Sequence, residues 1–265
     1  GGRPNGQGLD LNRDYIKAEA PETRATLELL KEWDPDVFVD LHTTNGSFHG
    51  YDITWAPPLN PAARFTGPFT QDTVLPELRT ILLDRLRMQT FPYGNFISQD
   101  SVARGWFTYD HRPRFGTNYF GIRGRVAVLS EAYSHDPFEE RVAHTYGFTM
   151  ELLSLIADNF EDFLEASSEA DRRTTGFSTT TATSPPIALR SRLTQKPRNE
   201  DVRVEEIERA DDTVRTEPGL RPGVRRTGRV RTEKIPVFDR FEPVLEQELP
   251  FAWVIPAQQA ALLDP

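Results

Sequence analysis

Four short polar stretches carry side chains that can do chemistry. In Asp40-Leu41-His42-Thr43-Thr44-Asn45-Gly46, His42 closes an apolar run and stands before polar turn residues. A neutral imidazole at the carboxyl end of a strand can ligate Zn²⁺, and ligands of open α/β sheets gather at those ends. A histidine bonded to a loop carbonyl is the alternative. In Ser130-Glu131-Ala132-Tyr133-Ser134-His135, Glu131 likewise ends an apolar run. A carboxylate there is costly unless paired or working. It is either a general base activating a metal-bound water or one half of an ion pair with Arg123 or Arg125. In Gly8-Leu9-Asp10-Leu11-Asn12-Arg13-Asp14-Tyr15, Arg13 offers a planar fork suited to a carboxylate, with the Asn12 amide beside it; a solvated surface arginine is the competing reading. In Gly116-Thr117-Asn118-Tyr119-Phe120-Gly121-Ile122-Arg123, two glycines flank a tyrosine on an expected loop. Tyr119 either reaches a substrate or is an ordinary surface aromatic.

The elements that must position these residues alternate between helix and strand. Leu27, Leu30 and Trp33 share one face of a helix over 21–33, with Pro21 in its first turn. The helix must stop near Asp34, because Pro35 bars its predecessor from helical backbone angles. Val37 to His42 reads as a buried strand. Leu75, Leu78, Leu82 and Leu86 align a helix over 74–89, and Arg125 to Ser130 is a second buried strand. Asp136-Pro137 reads as a helix start, Asp136 the cap, opening a helix that runs to about Leu164. Strands separated by helices imply a layered α/β domain over residues 1–165. Residues 166–186 are rich in Ser, Thr and Ala, end in Pro185-Pro186, and read as a linker. Alternating runs at 201–207 and 224–233 make residues 187–265 a small β-rich module.

Together and in this order, the four stretches resemble the zinc metallocarboxypeptidase family, carboxypeptidase A-like, over roughly residues 1–165. The resemblance implies a mixed sheet flanked by helices and a bound Zn²⁺. It implies that Asn12 and Arg13 grip the terminal carboxylate of a peptide, that His42 is a zinc ligand and that Glu131 is the catalytic glutamate. Arg3 is the candidate for the arginine that polarises the scissile carbonyl, and Tyr119 for the tyrosine that contacts substrate. The Asp-Leu-His-Thr-Thr run is also similar to the desuccinylase and aspartoacylase branch, which implies as the alternative a zinc amidohydrolase of N-acyl amino acids or cell-wall peptides. A non-catalytic relative that binds carboxylate-bearing peptides is a third class. The family takes two more zinc ligands from a His-x-x-Glu motif upstream of the Asn-Arg pair. None of His42, His49, His111, His135 and His144 begins such a motif. The expectation is therefore an N-terminally truncated catalytic core, incomplete as a sheet, that by itself holds zinc poorly and hydrolyses nothing.

Composition narrows the partners. The 265 residues carry a net charge of −9, which argues against nucleic acid as the main partner. Residues 190–240 carry +4 where the first 189 carry −9, so the charge changes sign with the texture of the sequence. No apolar run approaches the ~20 residues that cross a bilayer. Cysteine is absent, which excludes disulfides and thiolate metal sites.

Overall fold

The computed structural model describes residues 3–44, 46–176, 186–209, 224–248 and 254–259. Helix α1 (Pro21–Trp33) begins at a proline whose missing N–H costs nothing in a first turn. It ends where Asp34 turns left-handed, φ 44°, and donates its N–H to Leu30 O at 2.9 Å. Strands β1 (Val37–Thr43), β2 (Ile53–Ala56), β3 (Thr90–Pro92) and β5 (Val126–Ala132) form one mixed sheet in the order β1-β5-β2-β3. β1 runs parallel to β5, β2 antiparallel to β5, and β3 parallel to β2.

β5 is buried along its whole length, as its apolar run predicts. β1 is not: it is an edge strand, half-buried, with Leu41 at 48% exposure. An apolar run cannot tell a central strand from an edge strand whose neighbour covers one side.

Side-chain alternation divides the sheet into two faces. Val126, Val128 and Ala132 of β5 join Ile53 and Trp55 of β2 against helices α3 (Leu75–Leu86), α5 (Phe138–Asp158) and α6 (Phe160–Gly176). Burying each aliphatic side chain of this size contributes about 1.5–3 kcal/mol. On the other face Ala127 and Phe38 pack against Leu30 of α1 and Phe120 of α4 (Gly116–Ile122). Short helix α2 (Thr66–Phe69) leads into α3 through a π turn, Thr70–Val74.

Two helical expectations are corrected. The helix expected over 136–164 is two helices, broken at Asn159, whose side-chain amide donates to Leu155 O at 3.0 Å and competes with the backbone ladder. Asp136 does not cap α5, since no side-chain cap bond forms there and Pro137 precedes the helix. Residues 166–176 of the expected linker belong to α6; residues 177–185 lie outside the described residues.

The C-terminal part is extended. β6 (Ile187–Gln195) pairs with β9 (Val237–Gln247), and β7 (Glu200–Arg209) with β8 (Val224–Ile235). These strands pack on the α/β part. β4 (Trp106–Phe107) runs parallel to β9. Val202, Val204, Ile235 and Val237 share a buried cluster with Tyr51, Phe91, Phe96 and Trp106. Gly105, at φ +127°, lets the chain approach Pro236, whose carbonyl oxygen would stand 2.9 Å from an added Cβ.

Candidate active site

Parallel register sets His42 opposite Glu131, and alternation puts both side chains on the α1/α4 face at the carboxyl end of their strands. The turn Leu11–Arg13 brings Asn12 and Arg13 beside them. Arg3, Asn12, Arg13, His42 and Glu131 thus line one small cleft of ≈ 60 Å³, closed by Tyr93, Tyr109 and Phe115.

The partners of each residue are specific. His42 Nε2 lies 2.8 Å from Asp40 Oδ1 and 3.2 Å from Asn12 Nδ2. Burial is the largest influence and works against charge on this imidazole, but the bond to Asp40 and the charges of Asp40 and Glu131 together outweigh it and hold His42 above the ordinary histidine value. Asn12 Oδ1 accepts the Gly116 N–H at 2.8 Å, and Nδ2 reaches Asp40 Oδ2 at 3.4 Å. Its amide therefore ties the turn both to the start of α4 and to β1. Arg13 stacks its guanidinium 3.9 Å over the Phe115 ring and donates to Asn12 O at 2.5 Å, leaving the rest of the fork free of ion pairs among the described residues. Arg3 is half-exposed and donates to Asp10 Oδ2 at 2.6 Å.

Glu131 is 8% exposed. Burial pushes its carboxyl up to about 7, with His42 pulling it down and the Asp40 carboxylate pushing it further up. The expected alternative partner Arg125 pairs instead with Asp34 and Asp171, at 2.5 and 2.9 Å. Tyr119 departs from expectation. It sits within helix α4, not on a loop, its ring 5.6 Å from Tyr15 and edge-on to Phe120, and it is not among the residues lining the cleft. Tyr93, Tyr109 and Asp40 take places in and beside the cleft that the sequence reading did not assign; Asp40, at i−2 from His42 on one strand face, had a legible signal, whereas the tyrosines had none.

The described residues do not complete a zinc site at His42. A hydrolytic zinc takes three protein ligands, and among the described residues no three His or carboxylate ligand atoms converge at His42. Among the described residues, the one convergence of three His or carboxylate ligand atoms is elsewhere: Asp52, Asp136 and His144, all within 4.8 Å of one another. Asp136 there already faces Arg226 at 3.2 Å.

No protein-family model matches the chain, and no curated protein does. Two solved structures are similar in part. A metallo-carboxypeptidase from Pseudomonas aeruginosa, in complex with (2-guanidinoethylmercapto)succinic acid, matches at 18% identity and a TM-score of 0.44, over 59% of this chain and 41% of that one. A metallo-carboxypeptidase from Burkholderia cenocepacia matches at 16% identity and 0.38, over 60% and 40%. The chain spans about two fifths of the length of these structures. Both likenesses are partial, and the functional reading rests on the cleft's own geometry.

Proposed function

We propose that this chain carries the substrate-gripping and general-base part of a carboxypeptidase-type hydrolase. One observation supports the reading above others: Arg3, Asn12, Arg13, His42 and Glu131 line a single cleft although they lie on four separate stretches of chain. Arg13, free of ion pairs among the described residues and stacked on Phe115, takes the terminal carboxylate of a peptide. Glu131, poised near neutrality by burial, takes the proton of an attacking water and passes it to the leaving amine. Arg3 exchanges Asp10 for the oxyanion that develops on the scissile carbonyl. In the zinc-dependent form of this reading His42 is one ligand, and the remaining ligands are not found around it among the described residues. Asn12 and Tyr119 need a change of partners to touch substrate, since Asn12 is bonded to Gly116 and Tyr119 packs on Tyr15.

The small volume of the cleft favours a second reading, hydrolysis of short N-acyl amino acids, whose carboxylate end is all that the cleft must hold.

The test is binding, which does not wait on a complete metal site. A peptide with a free C-terminal carboxylate should bind at least roughly ten-fold more tightly than its C-terminal amide, a difference of about 1.4 kcal/mol. Arg13→Met should erase that difference, and Glu131→Gln should leave it in place. Equal affinity for acid and amide sinks the proposal. Comparing a hexapeptide with an N-acetyl amino acid separates the two readings. Chelator-sensitive release of the terminal residue by this chain would show that its zinc ligands are complete.

A further inference from the structure

A second cavity, larger than the cleft, lies outside it. It measures ≈ 440 Å³ against ≈ 60 Å³ for the cleft, and Tyr93 stands in the wall of both. That volume falls in the range of small-molecule sites. One wall comes from β2 and α3, through Trp55, Arg79 and Leu83; the opposite wall comes from the C-terminal strands, through Lys196, Glu200 and Asp239. The cavity therefore exists only because the two parts pack together.

Three features set it apart from a packing seam. Its rim includes Gln71 and Asp72 of the π turn Thr70–Val74, and such turns are frequent at functional sites. Trp55 is 6% exposed, and its indole N–H has no acceptor among the described residues. A buried donor left unmatched is unfavourable, because it has given up water without gaining an acceptor. The charges are also unequal in their pairing. Lys196 Nζ holds Glu200 and Asp239, each at 3.2 Å, and Arg240 leans on Asp239 at 3.4 Å. Arg79 has no carboxylate partner among the described residues and stands over the Phe91 ring at 5.7 Å.

We infer that this cavity is a second ligand site, which takes a small molecule with an apolar, aromatic-sized body and one carboxylate. The body packs against Trp55, Leu59 and Leu83, and the carboxylate meets Arg79 at the rim. The site is independent of the hydrolase reading, because none of these residues is assigned a role in it.

Calorimetric titration of the 265-residue chain with 4-phenylbutyrate and with 4-phenylbutyramide tests the assignment. The acid should bind saturably in the millimolar range or tighter, and the amide roughly ten-fold more weakly, about 1.4 kcal/mol. Arg79→Met should remove the difference. Thr80→Trp, a bulky side chain at an exposed rim position, should weaken both ligands. Arg13→Met should change neither. The assignment is overturned by the absence of saturable binding, by equal affinity for acid and amide, or by loss of binding in Arg13→Met with none in Arg79→Met. The last outcome would place the probe in the cleft. A peptide acid that still binds with its Arg13 dependence intact, while 4-phenylbutyrate does not bind, would leave the hydrolase reading standing and this one refuted.

Discussion

A carboxyl group held near 7 inside a protein is a statement about stability as well as about chemistry. Glu131 titrates in the folded protein at about 7 against an ordinary 4.5, with burial the main cause. Its folded form binds the proton more tightly than its unfolded form does. Stability contributed by this group is therefore full below the unfolded value, falls as pH rises from about 4.5 to about 7, and is level beyond. At 1.36 kcal/mol for each pKa unit the loss is about 3 kcal/mol. Glu131→Gln keeps the volume and removes the titration. Urea unfolding of the metal-free protein should show the variant gaining about 2.5 kcal/mol over the parent at pH 8 relative to pH 5, since part of the loss is already complete at pH 5. An equal difference between parent and variant at both values would show that Glu131 is not held in this state. In a competent enzyme the same change should abolish turnover while substrate binding persists, because an amide cannot take the proton.

Strand β5 does not end freely after Glu131. The Tyr133 O–H donates to Glu205 Oε2 of β7 at 2.5 Å, and Glu205 Oε1 accepts from Arg226 Nε of β8 at 2.6 Å. Arg226 also bonds the carbonyl of His135 and faces Asp136 Oδ1 at 3.2 Å. Two C-terminal strands thus clamp the segment that follows the candidate base. Glu205 is 3% exposed, so losing its cation leaves a buried charge without compensation. Arg226→Met should cost roughly 3 kcal/mol or more in denaturant unfolding, and adding Glu205→Gln should recover part of it. Additive losses in the double variant would mean that the two residues do not interact. At the neighbouring contact, Gly105→Ala should destabilise by more than about 1 kcal/mol, measured by the same unfolding. Its φ of +127° strains any L side chain, and the new Cβ meets Pro236 O at 2.9 Å.

The two parts of the molecule share a core: Val202, Val204, Ile235 and Val237 bury against Tyr51, Phe91 and Trp106. Trp106 is wholly buried and its indole N–H donates to Pro92 O at 2.9 Å. A shared core couples unfolding. Tryptophan fluorescence and far-UV circular dichroism should therefore report one coincident transition. Two separated transitions would mean that the C-terminal strands unfold on their own. Val204→Ala, which empties a fully buried position, should lower that single midpoint as seen by both probes, at a cost of roughly 2 kcal/mol.

Local physics was written in the chain. Pro21 and the Asp34-Pro35 step bound α1 through steric limits that act between adjacent residues, and the run Val126 to Ser130 specified a buried strand through its apolar side chains alone. Asn12, Arg13, His42 and Glu131 were legible as polar groups at the ends of such elements, because a charged or ligating side chain beside an apolar run must have a partner or a task. Tertiary structure alone decided what those partners are. Asn12 on Gly116, and Arg125 on Asp34 and Asp171 rather than on Glu131, follow from strand and helix placement, whereas Asp40 on His42 is local to one strand face. The edge position of β1 is likewise set by the packing of whole strands, and the hydrogen bonds of Glu205 and Arg226 to Tyr133, His135 and Asp136 join residues separated by as many as 91 positions. Contacts at that separation leave no periodicity in the sequence, since each is fixed by the packing of whole elements and not by the residues adjacent to it.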